Sequence, residues 1–187
     1  MDYKELLPLT NYKDGTEADV LCFALDRVRW QFAWKTGGLD AEQLRRQFPP
    51  STMTLAGLIK HMAAVEEGFT ATAAGRPPGA ARATPDWKAV SEGDDFQSAP
   101  TDEPEALYAL WYGAVERSRI AWREMIADDG LDVRVAGDSP DWILNRRRML
   151  VDLLEEYMKH TGHADLFREA VDGLVGNDPP WDEVADA

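Results

Sequence analysis

The stretch LLEEYMKHTGHADLFRE, residues 153–169, holds two of the three histidines in this chain of 187 residues. Its apolar residues recur every three or four positions, which is the period of a helix that buries one face. Spacings of four, four and three place four polar residues of this region on one side of such a helix: Asp152, Glu156, His160 and His163. A row of this kind is commonplace on a solvated face. If the row faces the interior of a bundle, it predicts a binding site, because buried carboxylates and imidazoles need partners.

The same helical period recurs in three earlier segments, and no segment shows the alternation that indicates a strand. The four long helices are predicted at residues 16–36, 54–74, 103–127 and 142–174. A short helical turn is predicted in DAEQLRRQF, between the first two, and a turn or short excursion at 130–141. About thirty residues rich in Pro, Gly and Ala join the second helix to the third, which is long for a simple connection. The pattern predicts an all-α fold, a four-helix bundle with a long crossover between the second and third helices.

The length of the chain suits one domain with a sizeable core. We expect a single helical-bundle domain over residues 1–187. Its core is expected at about 16–175, followed by a C-terminal tail at 176–187.

The net charge of −14 narrows the range of partners. Affinity for nucleic acid and for anionic membranes comes largely from Lys and Arg, and the longest basic run here is NRRR at 145–148. We therefore expect neither a nucleic-acid nor a membrane partner. The N-terminus has no signal pattern and no apolar run approaches the ~18 residues of a membrane span, which indicates a cytoplasmic protein. The single cysteine, Cys22, lies in the apolar stretch VLCFAL, where a buried thiol is a better interpretation than a nucleophile.

The third histidine, His61, lies in the second predicted helix, within LIKHMAAVEE. Alone among apolar neighbours, a histidine is more often a core residue than a ligand. Facing a helix that offers Glu and His in register, His61 completes three ligands, the number that catalytic zinc sites typically take beside one open position. The spacing leaves the other two ligands undecided, because Glu156 with His160 and His160 with His163 are both feasible chelating pairs. Glu156 and His163 are nearly two turns apart, roughly 10 Å of rise, which is too far to share one ion easily.

Two stretches resemble the signature segments of a known group of helical proteins. STMTLAGLIKHMAAVE (51–66) and EEYMKHTGHADLFRE (155–169) are similar to those of the DinB-like superfamily, in the branch of actinobacterial mycothiol-dependent transferases. The order of features agrees, with GLDAEQLRRQFPPS (38–51) ahead of the first histidine helix, and the resemblance covers most of residues 16–175. It implies an up-and-down bundle of four helices. In that bundle a divalent metal, zinc or nickel, is held by a histidine of the second helix and two residues of the last.

The resemblance also decides between the two ligand pairs. In many members the last helix carries His-x-x-x-His, followed by Gly-Gln and a later Arg. Here His160 falls on the second histidine, Gly162 on the glycine and His163 on the glutamine. Glu156 then replaces the first histidine, as in the related mycothiol-dependent isomerases, whose metal site is similar to His, Glu, His. The implied metal ligands are therefore His61, Glu156 and His160.

The alignment implies roles for His163 and Asp152, and position along the chain suggests roles for other residues. His163 is expected to orient a ligand or contact the substrate, and it is the one candidate for a catalytic group. Arg168 is a candidate for holding an anionic substrate group, with an ion pair to a nearby acid as the alternative. Asp152 stands where close relatives often carry a further histidine, and we expect it to accept a hydrogen bond from a ligand histidine. Trp142 and Trp87 are candidates for lining the mouth of a pocket. The tryptophans of the helical stripes are expected in the core: Trp30, Trp34, Trp111 and Trp122.

The resemblance implies a divalent-metal-dependent mycothiol S-transferase or a related detoxification enzyme. The metal would activate the thiol of mycothiol, the co-substrate, for attack on a small electrophile. Two alternatives are a metal-dependent hydrolase or isomerase on the same site, and a non-enzymatic, stress-related metal-binding bundle in which the histidines are structural. A homodimer is the candidate assembly. The sequence shows no motif of another kind of active site, such as a phosphate-binding glycine loop or a Ser–His nucleophile motif.

Overall fold

A computed structural model describes residues 14–76, 101–136 and 143–179 of the chain. These ranges contain helices α1 (Glu17–Thr36), α2 (Ala41–Arg45), α3 (Leu55–Ala74), α4 (Pro104–Asp128) and α5 (Arg146–Asp172), and strands β1 (Arg134–Ala136) and β2 (Ile143–Asn145). The four long helices pack as a bundle, in which α3 lies against both α4 and α5, and α1 lies against α5. The predicted all-α bundle is thus confirmed. Within the described ranges, no helix is both long enough and apolar enough to cross a membrane.

The ends of the helices follow from local side-chain chemistry. Thr16 and Asp19 form a reciprocal capping box at the start of α1, as the sequence predicts. The Thr54 hydroxyl accepts a hydrogen bond from the backbone N–H of Gly57 and so caps α3. At its other end α3 stops at Gly75, whose φ of 62° is a left-handed conformation that glycine adopts without strain. These caps fix the register of α3, which carries His61.

The last long helix begins four residues later than the sequence predicts. Residues 143–145 pair with 134–136 as a two-stranded antiparallel hairpin, with Arg134 opposite Asn145. The backbone of this segment is therefore extended, and α5 starts only where the Asn145 side chain accepts a hydrogen bond from the Arg148 N–H. The excursion predicted at 130–141 is thus partly a strand. The token sheet leaves the all-α class unchanged.

The bundle core is aromatic at its centre. The Phe32 ring packs edge-on against Trp111 and Tyr157, and the Trp111 indole donates to the Tyr157 hydroxyl at 2.9 Å. Trp30, Trp111 and Trp122 are buried as predicted. Trp34 is only half-buried, and its ring lies under the Lys35 ammonium. The core therefore joins α1, α4 and α5 through large rings that set the spacing between these helices.

The interior also contains a buried ion pair. Arg29 of α1 donates two hydrogen bonds to the carboxylate of Glu66 on α3, at 2.6 and 2.7 Å. Arg29 also donates to Ser118 of α4, whose hydroxyl in turn bonds that of Thr70. Buried charges need such partners. This network links three of the four long helices.

Candidate metal centre

The packing of α3 on α5 brings three of the predicted site residues together. His61 comes from the second turn of α3, and Glu156 and His160 are successive turns of α5. One potential ligand atom from each lies within 4.8 Å of the other two. The convergence that the sequence predicts for these side chains is therefore present in the fold.

One carboxylate oxygen faces both imidazoles. The Oε2 atom of Glu156 lies 3.3 Å from Nε2 of His160 and 3.7 Å from Nε2 of His61. The two imidazole rings meet edge to face, with centroids 4.7 Å apart. Two imidazole nitrogens and a carboxylate oxygen are ligand types that catalytic zinc sites use, in the number that leaves a position open. The donor set therefore fits a divalent cation.

The site is enclosed but not sealed. The side chain of His160 is 7% exposed, that of His61 13% and that of Glu156 28%. Water and small molecules can therefore reach the carboxylate side, while the imidazoles are backed by the bundle. Partial enclosure strengthens electrostatic interactions at the site, because less water screens them.

The protonation of the site suits a cation. The pKa of Glu156 lies well below its usual range, first because His160 hydrogen-bonds to the carboxylate and next because His61 lies beside it. Burial lowers the pKa of His160, since the charged imidazolium loses its hydration. Both directions describe a neutral imidazole that donates to an ionised carboxylate. At neutral pH the charges are those that metal ligands need, and the hydrogen on Nε2 of His160 would move to Nδ1 when a cation binds.

His163 contacts the opposite side of His160. Its Nδ1 atom lies 3.3 Å from Nδ1 of His160, whereas Nε2 of His160 faces Glu156. The two chelating pairs that the spacing leaves open would therefore use different nitrogens of His160. His163 lies outside the three-residue group that could hold a metal, and its position suits the predicted role of orienting a ligand.

Lys159 is a site residue that the sequence analysis missed. Its ammonium donates to Oε1 of Glu156 at 2.5 Å, so both oxygens of this carboxylate are engaged, each on a different side. The spacing of three that joins the two residues was visible in the sequence. Such pairs are so common on exposed helix faces that spacing alone gives no functional signal.

The remaining predicted site residues have other described contacts. Asp152 accepts a hydrogen bond from Arg148, one turn earlier on α5. Arg168 pairs with Asp172 and donates to the carbonyl of Gly37 at 2.7 Å, beyond the last turn of α1. The ion pair predicted as the alternative for Arg168 is therefore present, and its contact with an anionic substrate stays a prediction. Trp142 and Trp87 lie outside the described residues, as does most of the predicted crossover.

Cys22 does not have the features of an activated thiol. It is half-buried on α1, and burial raises the pKa of its thiol. Nucleophilic cysteines have a lowered pKa, because the thiolate is the reactive form. This supports the expected role of Cys22 as a small apolar residue.

One comparison with known proteins covers nearly all of the bundle. The family model described as mycothiol-S-transferase matches residues 20–173, a span that includes α3, α5 and every described side chain of the site. A search of the curated proteins gives no match to the chain.

Proposed function

Because the chain belongs to the mycothiol-S-transferase family, we propose that it is a metal-dependent S-transferase that uses mycothiol as its thiol substrate. The family membership confirms the resemblance that the two signature stretches carry. The metal dependence, and the transfer of the thiol to an electrophile, are the steps added here.

The observation that supports metal dependence is the convergence of His61, Glu156 and His160 from two separate helices. Residues on one helix face come together by spacing alone, but a third ligand from α3 requires the tertiary fold. The two imidazoles and the carboxylate present ligand atoms within 4.8 Å of one another and are mostly shielded from water. As a ligand set they resemble a catalytic site with an open position.

In this proposal the three side chains hold a divalent cation, with zinc and nickel as the candidates. A cation bound there would lower the pKa of a thiol that binds beside it, so that the thiolate is available at neutral pH. The chain itself must present unprotonated nitrogens and an ionised carboxylate. The low pKa of Glu156 keeps its carboxylate ionised, and the lowered pKa of His160 keeps that imidazole uncharged.

His163 provides a place for the proton of His160. When Nε2 of His160 acts as a ligand, its hydrogen must lie on Nδ1, because a neutral imidazole carries one N–H. Nδ1 faces Nδ1 of His163 at hydrogen-bond distance and can donate to it. His163 would then carry its own hydrogen on Nε2. With a cation at Nε2, this contact would favour the tautomer that carries its hydrogen on Nδ1 and would hold the ring of His160 in its orientation.

As reactants, the transfer reaction needs only the thiol, the electrophile and solvent. The thiol sulfur of mycothiol forms a bond to a carbon of the electrophile, the leaving group departs with its bonding electrons, and the thiol proton passes to solvent. With a substrate that rearranges after addition, the same site would perform isomerisation. A hydrolase on these ligands would instead turn over without any thiol.

The experiment that tests this function measures metal content and thiol dependence together. Purified protein is analysed for bound divalent metal, stripped with a chelator, and reloaded with zinc or nickel. Conjugation of mycothiol to a fluorogenic bimane electrophile is then followed with metal and thiol present singly and together. We expect turnover only with both. A protein that binds no divalent ion, or that turns over equally well without thiol, would contradict the proposal.

A further inference from the structure

The two oxygens of Glu156 have separate partners. Oε2 faces the imidazoles of His61 and His160, and Oε1 accepts a hydrogen bond from the Lys159 ammonium at 2.5 Å. The carboxylate is therefore held with one oxygen toward the point where the three ligands converge. The other oxygen is turned toward Lys159, at the solvent side.

As a source of stability this ion pair is unremarkable. The Lys159 side chain is 51% exposed, and exposed pairs three or four residues apart on a helix contribute little to folding. The consequence of the pair lies in which carboxylate oxygen it occupies. Carboxylates that bind metals are commonly oriented by hydrogen bonds from outside the ligand set.

We propose that Lys159 is a positioning residue that restricts Glu156 to a single ligand oxygen and so keeps a position free for the thiol of the substrate. This inference rests on the proposed function. A carboxylate with both oxygens free can bind a cation through either one or two of them. With His61 and His160, a two-oxygen Glu156 would fill four positions, and a four-coordinate site would then have no place for sulfur.

Removing the Lys159 ammonium has two effects on the site, the loss of a positive charge and the loss of a hydrogen bond to Oε1 of Glu156. An ammonium beside a cation site repels the cation, so loss of the charge favours metal binding. Loss of the hydrogen bond releases Oε1, which can then also bind the metal. Both changes favour retention of the metal and weaken binding of an anionic thiolate, but only the second raises the coordination number of the metal before thiol is added. If Lys159 merely stabilised the site, the protein would bind metal less tightly once Lys159 is removed.

The test uses Lys159→Met, which keeps the aliphatic length and removes the ammonium. Arg148→Met is the matched control, because it removes an exposed cation paired with Asp152 on the same helix. Each protein is loaded with Co²⁺, whose visible absorption weakens as its coordination number rises. Mycothiol affinity is measured by titrating the thiol into the cobalt-loaded protein and following the same bands.

For Lys159→Met we expect one Co²⁺ per chain bound at least as tightly as in the unaltered protein. Its visible absorption should be several-fold weaker and its mycothiol affinity about tenfold lower. Arg148→Met should match the unaltered protein in all three measurements. An unchanged spectrum with unchanged thiol affinity would make Lys159 an ordinary surface ion pair and overturn the inference. Loss of cobalt from Lys159→Met would overturn it too, since Lys159 would then be needed to hold the metal.

The proposed function fails in a different and recognisable way. If the unaltered protein binds no Co²⁺, or binds it without any spectral response to mycothiol, the function is wrong and the inference falls with it. If the unaltered protein responds to both and Lys159→Met behaves identically, only the inference is wrong.

Discussion

The Nε2 atom of His160 lies 3.3 Å from Oε2 of Glu156, one turn earlier on the same helix. This contact selects one nitrogen of His160 for the candidate centre and leaves the other for His163. The ligand pair on α5 can therefore be tested by removing one side chain at a time.

The first prediction concerns alanine substitutions at the two histidines of α5. His160→Ala should abolish both metal retention and thiol transfer, because the most buried of the three candidate ligands is lost. Helical content should stay nearly intact by circular dichroism, since alanine favours helices. His163→Ala should still load with metal at saturating concentration and should alter mainly the handling of substrate. Metal content after gel filtration and the conjugation rate are measured on each variant.

Glu156→Ala supplies the comparison that decides between the two pairs. In the proposed centre this variant loses the metal and His163→Ala keeps it. If His163→Ala loses the metal while Glu156→Ala keeps it, His160 and His163 form the chelating pair. In that case the group formed by His61, Glu156 and His160 is not the one that binds the ion.

Metal affinity should fall as the pH is lowered. Burial lowers the pKa of His160 below the usual value for a histidine, so its imidazole stays neutral at neutral pH. The pKa of Glu156 is lowered by its hydrogen bond from His160, so the carboxylate remains ionised throughout the range of interest. Affinity should therefore be full at pH 7 and above, and be lost as pH drops below about 6, where imidazoles take up protons.

Calorimetric titration of the metal-free protein with zinc between pH 5 and 8 measures this dependence. Thiol-transfer activity of the loaded protein should fade in the same pH window. An affinity that stays level down to pH 5 would contradict the expected loss of affinity below about pH 6.

Much of this structure follows from local sequence signals. Apolar period and capping residues such as Thr16 and Thr54 predict three of the long helices to within one residue at their starts. The strand at 143–145 could not be predicted, because three residues are too few to show alternation and a helical period continues through them. Spacing also left the choice between Glu156 and His163 as partner of His160 open. The family resemblance favoured Glu156, and the orientation of the ring agrees with it.

Other features depend on tertiary packing and give no signal in the sequence. Glu66 falls on the apolar stripe of α3, but its partner Arg29 is 37 positions away on α1. Nothing in the spacing indicates that the two meet in the core. The role inferred for Lys159 likewise depends on which oxygen of Glu156 faces the imidazoles, and that is set by the approach of α3 to α5.

The corrected start of α5 leads to a stability prediction. Asn145 ends β2 and caps α5 through its side-chain oxygen. Asn145→Ala removes this hydrogen bond and should lower the free energy of unfolding by about 1 kcal/mol. Asn145→Asp keeps an acceptor at the same place and should retain most of the stability. Urea unfolding of the three proteins measures the difference, and equal midpoints for Asn145→Ala and the unaltered chain would contradict the assigned cap.

The buried pair of Arg29 and Glu66 should be costly to break from one side. The two side chains are 3% and 0% exposed, and Arg29→Met leaves the Glu66 carboxylate in the core without its main partner. Removing one member of a buried pair typically lowers stability by about 3–5 kcal/mol. We expect a loss of that size in urea unfolding. Arg148→Met, which removes an exposed arginine, should change stability little.

A double variant separates the charge from the packing. Arg29→Met combined with Glu66→Leu removes both charges and fills the space with apolar atoms, and buried pairs replaced in this way often lose little stability. We therefore expect the double variant to recover most of the loss caused by Arg29→Met alone. Glu66 and His61 lie on the same helix, so cobalt binding by the double variant reports whether the network also sets the position of α3. Unchanged cobalt binding would mean that the pair contributes to stability and does not position α3. A double variant no more stable than Arg29→Met would show that the specific hydrogen bonds stabilise the bundle, and that neutralising the charge does not.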